Sequence, residues 1–502
     1  MDLLAQIGAG FAVALQPANL MYCFIGVFIG TLIGVLPGIG PVGAMSLLFP
    51  VTFKSSPEAA IIMLAGIYYG AMYGGSTTSI LVNIPGEAAS VVTCLDGYQM
   101  ARKGRAGPAL GISAIGSFVG GTLSILGLML LAPPLSQFAI QFGPPEYFSL
   151  MVLGLTILVY LAHGSMAKAL LMAAVGVVLG LVGLDSINAR PRLTFDRLEL
   201  VDGIGLVPIV MGLFGIGEVL LNLEQALRRD VFQTRITGLL PTARDWVEAR
   251  WPIVRGSLVG FLLGILPGGG AVISSFLSYA LEKRLSRRPE RFGQGAIEGV
   301  AAPEAANNAA TGGAFIPLMT LGVPPNVIMA LLLGAFMVHG VQPGPLLMTQ
   351  NPGLFWGVIA SMYIGNAMLL VLNLPLIGMW VQVLKVPYRI LFPLILLFCL
   401  IGVYSVGNAV FDIHVMIAFG VVGYLMKKLD YEPAPLVLAF VLGPLLENNL
   451  RKSLILSQGG FSIFFTRPIS AACLVLALAL LLSPLLPSLG RKREEIAMEE
   501  AT

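Results

Sequence analysis

Residues 255 to 283 read RGSLVGFLLGILPGGGAVISSFLSYALEK, and the fold turns on how this stretch meets a membrane. Twenty-seven residues lie between Arg255 and Lys283, and Pro267-Gly268-Gly269-Gly270 divides them. Each half is about a dozen residues, too short at 1.5 Å per residue to cross a hydrocarbon core about 30 Å thick. Lys and Arg mark cytoplasmic ends, and they flank this stretch on both sides. Residues 228 to 291 carry eleven of the chain's 29 basic residues, from Arg228, Arg229 and Arg235 to Arg287, Arg288 and Arg291. Ends on one side with a break between them predict a re-entrant helical hairpin. Its tip must sit in protein or a watery cavity, because bare backbone is not tolerated in lipid.

The whole composition agrees with a membrane protein. Of 502 residues, 57% are apolar and 11% are Asp, Glu, Lys or Arg, against about a quarter charged in soluble domains. Mean hydropathy is +0.88. These values exclude a soluble enzyme, a disordered chain and a coiled coil, and the long unbroken apolar runs do not fit a β-barrel. The expected fold is an all-α polytopic membrane protein of about 10–13 membrane segments. The net charge of +3 gives no sign of nucleic acid. Cys23, Cys94, Cys399 and Cys473 are scattered singly, so neither a disulfide framework nor a metal site is indicated. No GxxxxGK[ST] loop, HExxH or CxxCH is present, which leaves ATP-driven pumping and enzyme activity unsupported.

The broken stretch has a counterpart. GTLIGVLPGIG at 30 to 40 matches GFLLGILPGGG at 260 to 270 at seven of eleven positions. Downstream, Gly74-Gly75 with STTSILVNIPGE parallels Gly312-Gly313 with AFIPLMTLGVPPN, and GYQMARKGRAGP from Gly97 parallels GAFMVHGVQPGP from Gly334. The copy at 97 to 108 holds three basic residues, its partner at 334 to 345 none, and no Lys or Arg occurs from 292 to 384. Equivalent segments are therefore expected on opposite sides of the membrane, as an inverted internal repeat with two re-entrant hairpins. The expected organisation is a first membrane repeat over 1–223 broken at 37–40, and a basic cytoplasmic connector over 224–255. A second membrane repeat over 256–489, broken at 267–270, and a charged cytoplasmic tail over 490–502 follow. Arg190, Arg192 and Arg197, with Arg451, Lys452 and Arg467, fall where this count expects outside loops.

Paired broken helices in inverted repeats are the architecture of secondary transporters, whose substrate sites lie near the midplane. Proline and glycine also kink ordinary spanning helices, but two matched breaks favour the transporter reading. The tips supply Pro37, Gly38, Gly40, Gly268, Gly269 and Gly270 as substrate-binding candidates. The first repeat adds Gly75, Ser76, Thr77, Thr78, Ser79 and Asn83, hydroxyl and amide groups able to meet an anion. A helix restarting after a broken tip would contribute its positive N-terminal dipole. Small-residue helix packing accounts for any single Ser or Thr equally well. In the second repeat, Asn307, Asn308, Thr311, Gly312 and Gly313 are the matching candidates. Glu298 and Glu304 are the only formally charged side chains from 292 to 384. Carboxylates with Asn oxygens suit a hard cation or a proton relay, so Glu298, Glu304 and Asn307 are the ion-coupling candidates, unless the two carboxylates merely cap helices at the interface.

These motifs carry a resemblance. The chain resembles the large membrane (permease) subunit of the tripartite tricarboxylate transporter family over about residues 10 to 488. The most specific pieces are GVLPGIGPVGAMSLLFP at 34 to 50, YYGAMYGGSTTSILVNIPGE at 68 to 87, LDGYQMARKGRAGPALG at 95 to 111, GILPGGGAVISSF at 264 to 276, and APEAANNAATGGAFIPLMTLGVPP at 302 to 325. The resemblance implies a multi-pass carrier of the bacterial cytoplasmic (inner) membrane. It would work with a small four-helix membrane subunit and a periplasmic solute-binding protein that delivers a di- or tricarboxylate such as citrate. A sodium ion or proton gradient would drive uptake, with no other cofactor. The competing expectation is a passive carboxylate channel or a scaffold subunit.

Overall fold

The computed structural model describes residues 3–36, 40–162, 165–185, 187–225, 238–268, 270–384, 386 and 388–483. Among them, nine helices are long and apolar enough to cross a membrane, and four shorter apolar helices accompany them. The strands are a two-residue antiparallel pair, Gly183–Leu184 with Pro191–Arg192. The molecule is thus an all-α polytopic membrane protein.

Two glycine ladders organise the interior. In the helix Pro17–Val35, Gly26, Gly30 and Gly34 recur every fourth residue on one face and meet the helix Pro57–Val82. A Cβ on each would lie 2.3 Å from Met63 O, 2.5 Å from Ile67 O and 2.3 Å from Ala71 O. In the helix Ala243–Ile265, Gly256, Gly260 and Gly264 meet the helix Glu298–Gly313 in the same way, 2.3, 2.1 and 2.2 Å from the carbonyls of Ala302, Ala306 and Ala310. Without side chains between them the backbones come into van der Waals contact, the interaction that joins helices when lipid is as apolar as leucine. The contact is repeated with fixed offsets, 230 residues for the glycines (26 to 256) and 239 for their acceptors (63 to 302). Gly74, against Thr31 O, thereby corresponds to Gly313, against Phe261 O, one residue away from the register expected from sequence.

The partners are then exchanged between the halves. The helix Ala106–Ala139 packs on Glu298–Gly313, with Gly120 against Ala305 O, and Pro352–Asn373 packs on Pro57–Val82, where Tyr73 donates to Asn366 Oδ1 at 2.5 Å. The Pro57–Val82 helix is capped by Ser56, whose Oγ accepts from Ala59 N, and is stopped by Asn83 in the left-handed conformation (φ 58°). Despite its length it is buried throughout, and Pro85-Gly86 turns the chain behind it.

The second broken stretch folds into two helices, Ala243–Ile265 and Gly270–Leu285. Arg255 and Glu282, 27 residues apart, form a two-pronged ion pair (2.6 and 2.7 Å) that ties the arms side by side. The first arm begins earlier than the boundary expected at 255, because Thr242 and Asp245 form a capping box that starts a helix in the polar segment. The first broken stretch gives Pro17–Val35 and Gly40–Leu48. Between them, Pro37 and Gly38 lie outside the described residues, as do Gly269 and the tail 490–502.

Arg192, Arg451 and Arg467 do not stand as bare charge. Arg192 pairs with Glu447 (2.6 Å) and Asp185 (3.3 Å), Arg451 with Asp185 (2.6 Å), and Arg467 with Glu146 (3.4 Å).

Candidate functional site

One cavity of about 470 Å³ gathers both broken tips. Gly40 and Pro41 from the first and Gly268 and Gly270 from the second line it, with the turns Pro85-Gly86-Glu87 and Pro325-Asn326. Gly40, Gly268 and Gly270 have φ of 64°, 77° and 36°, the left-handed region where only glycine is unstrained. Gly40, Gly270 and Val327 are the first residues of the helices Gly40–Leu48, Gly270–Leu285 and Val327–Val338. Three helix N-termini therefore converge on one space, a ready arrangement for negative charge. Asn326 caps the last of them, its Oδ1 accepting from Met329 N at 2.9 Å, and its amide donates to Tyr68 Oη at 3.3 Å.

One buried carboxylate, Glu87, is part of the wall, and a second, Glu304, lies three residues before Asn307, the partner of Glu87. Glu87 lines the cavity; its Oε2 accepts from Ala89 N at 2.6 Å and its Oε1 from the Asn307 amide at 3.1 Å. Gly75 makes room for it, since a Cβ there would fall 2.8 Å from Glu87 Cγ. Glu304 is fully enclosed and surrounded by hydroxyls: Ser76 donates to Oε2 at 2.5 Å, Ser117 to Oε2 at 3.3 Å, and Thr93 to Oε1. These donors offset part of the cost of burying a carboxylate, and the hydroxyl lone pairs beside it can share a bound cation.

The sequence-derived candidates divide accordingly. Ser76, Glu304 and Asn307 belong to this carboxylate pair, and Gly40, Gly268 and Gly270 to the cavity. Thr78 donates to Val35 O (2.8 Å), Ser79 to Gly75 O (3.0 Å) and Thr311 to Asn307 O (3.1 Å), all backbone bonds that brace helices. Asn308 donates back to Glu304 O at 3.1 Å, and Thr77 is buried in the same helix as Ser76. Gly312 and Gly313 are packing positions, against Ser124 and Phe261. Asn83 is a helix stop. Glu298 lies half-buried at the start of the Glu298–Gly313 helix, and next to it Gly299 packs on Asp96, which accepts from Tyr279, Gly295 and Ala296.

Sequence reasoning passed over Thr93, Ser117, Glu218 and Lys427, and carried Glu87 only as the last residue of the motif at 68 to 87. Lys427 and Glu218 both line the cavity and form an ion pair. No local motif marks them. The helix Val410–Lys428 ends in Lys427-Lys428, which reads as an ordinary basic helix end.

A helical membrane protein whose paired helix breaks meet at one cavity has the architecture that secondary transporters use. The family model of the tripartite tricarboxylate transporter TctA family matches residues 20–438, and the chain belongs to that family as a large permease subunit. Two relatives come from Agrobacterium vitis. One, an uncharacterized 52.8 kDa protein in the TAR-I ttuC' 3' region, is 52% identical over 500 residues, covering 100% of both chains. The other, an uncharacterized protein in the TAR-II ttuC' 3' region, is 54% identical over 241 residues, 48% of this chain and 100% of its own. No solved structure matches the chain.

Proposed function

We propose that this permease subunit imports a di- or tricarboxylate of the citrate type, bound in the 470 Å³ cavity and coupled to a sodium ion or proton held at Glu304 and Glu87. The observation that carries the reading is the convergence of both helix breaks and three helix N-termini on a space of ligand size. Fixed N–H dipoles suit a carboxylate. Coupling follows from Coulomb's law: two carboxylates beside the cavity repel an anionic substrate until a cation or proton neutralises them, so each ligand strengthens binding of the other.

The cavity's orientation follows from charge. Glu218, Lys427 and Glu432 line it and lie near the ends of segments that adjoin the basic stretch from Arg228 and the Lys427-Lys428 pair. Basic loops face the cytoplasm, so the cavity opens inward in the bacterial inner membrane. Both hairpins enter from opposite sides as inverted repeats, and rocking of the paired halves alternates access. A periplasmic binding protein delivers the substrate from outside, and a small membrane subunit completes the complex.

Uptake of labelled citrate into vesicles carrying all three components tests the proposal. Accumulation above the external concentration, abolished by collapsing the ion gradient, is expected. Equilibration without accumulation would identify a passive channel, and no uptake of any di- or tricarboxylate would overturn the substrate class.

A further inference from the structure

Among the described residues that line the cavity, Lys427 is the one Lys or Arg side chain. It comes from the last turn of Val410–Lys428, and its Nζ donates to Glu218 Oε2 across 209 residues of sequence. Glu218 is held by more than the lysine, since the Asn222 amide reaches its Oε1 at 3.3 Å and its backbone oxygen at 2.8 Å. The neighbouring Lys428 is committed elsewhere, to Glu224, together with Tyr424. Both members of the Lys427–Glu218 pair keep some solvent contact, with 30% and 22% of their side chains exposed. Water can therefore reach both charges while their partners change. Glu218 also keeps a second partner, Asn222, to fall back on when the lysine is drawn away.

We propose that Lys427 is the cation that meets a carboxylate of the substrate in the inward-facing cavity, and that Glu218 holds it off when the cavity is empty. This rests on the carboxylate reading above and adds a specific exchange. An arriving carboxylate displaces Glu218 from Lys427 Nζ, and Glu218 falls back on Asn222. Release to the cytoplasm reverses the exchange, so the substrate does not leave a bare lysine behind. The helix N-termini would seat one end of a polycarboxylate and Lys427 another, which selects substrates carrying at least two carboxylates.

The test is citrate binding to the purified full-length permease, followed by the shift in thermal unfolding as citrate is titrated. Lys427→Gln is expected to weaken apparent affinity by roughly tenfold or more, the worth of a charge-assisted hydrogen bond. Lys427→Arg should recover most of it. Glu218→Gln is expected to tighten binding, because the competing carboxylate is gone. A merely structural pair would give the same sign for Lys427→Gln and Glu218→Gln, so opposite signs support the proposal and equal signs overturn it. Should Lys427→Gln fail to fold, Glu218→Gln decides alone: tighter binding supports the exchange, and unchanged or weaker binding overturns it. Wild type that responds to neither citrate nor succinate would overturn the carboxylate reading and this assignment with it. Wild type that responds while Lys427→Gln binds equally well overturns the assignment alone.

Discussion

The Asn307 amide donates to Glu87 Oε1 at 3.1 Å, joining segments 220 residues apart. The bond crosses between the two halves of the chain and holds a carboxylate that is both buried and part of the cavity wall. Asn307→Ala would leave the Glu87 carboxylate with backbone N–H donors, Ala89 N at 2.6 Å among them. Loss of a buried partner to a charged group costs about 1–3 kcal/mol, so unfolding in detergent should move to lower temperature and citrate uptake should fall. Asn307→Asp should be worse than alanine, since it sets a second carboxylate against the first. Equal behaviour of the two variants would show that the bond carries no charge.

The hydroxyls around Glu304 make a graded series. Ser76→Ala and Thr93→Val each remove one donor from the carboxylate, while Ser117 remains at 3.3 Å. On the proposed reading with sodium, each also removes a hydroxyl oxygen ligand and should weaken apparent sodium affinity by roughly tenfold. Glu304→Gln should leave the protein folded but remove the dependence of citrate accumulation on the ion gradient. Measuring uptake against sodium concentration and against pH in the same vesicles tells which ion is coupled, and unaltered dependence in Glu304→Gln would refute the assignment.

Glycines inside and outside the ladders predict opposite signs for one and the same substitution. Gly260→Ala places a methyl group 2.1 Å from Ala306 O, and Gly30→Ala one 2.5 Å from Ile67 O. Backbone carbonyls cannot rotate away, so the helices must separate, at about 1–3 kcal/mol. Gly8, in the helix Leu3–Ala14, has open space around it, with nothing within 4 Å of where an alanine methyl would sit. Gly8→Ala should therefore stabilise by roughly 0.5–1 kcal/mol through helix propensity. Thermal unfolding of the three variants checks both signs.

Much of this was legible in the sequence because it is local. The Pro-Gly breaks interrupt apolar runs, and the four-residue spacing of Gly26, Gly30 and Gly34 repeats at Gly256, Gly260 and Gly264. Glu304 stands out by the scarcity of charge around it. What stayed hidden depends on long-range contact. Thr93 and Ser117 meet Glu304 from 211 and 187 residues away, and each looks alone like an ordinary small polar residue in a membrane helix. Lys427 gave no signal at all, because a helix ending in two lysines is expected whether or not a cavity lies beside it. The hydroxyl run at Ser76 to Ser79 illustrates the limit from the other side: four adjacent residues share one helix, yet only Ser76 reaches a carboxylate.

The loop carrying the two-residue strands offers a pH test away from the cavity. Asp185 accepts from Asn188 N and Ile187 N, both at 2.8 Å, and pairs with Arg451. The Asn188 and Arg451 bonds, then Ile187, hold its carboxyl well below the ordinary carboxylate range. A group whose folded pKa is depressed stabilises the fold fully above its unfolded value, near roughly 3.9, and loses that contribution as pH falls toward the folded value. Proteolysis of the 183 to 203 loop should therefore be constant from about pH 8 to pH 5 and increase only below about pH 4. Asp185→Asn removes the Arg451 ion pair and leaves Arg192 with Glu447. It should raise cleavage at every pH and flatten the acid rise. Cleavage of wild type that climbs already between pH 7 and pH 5 would place the responsible group elsewhere in the loop.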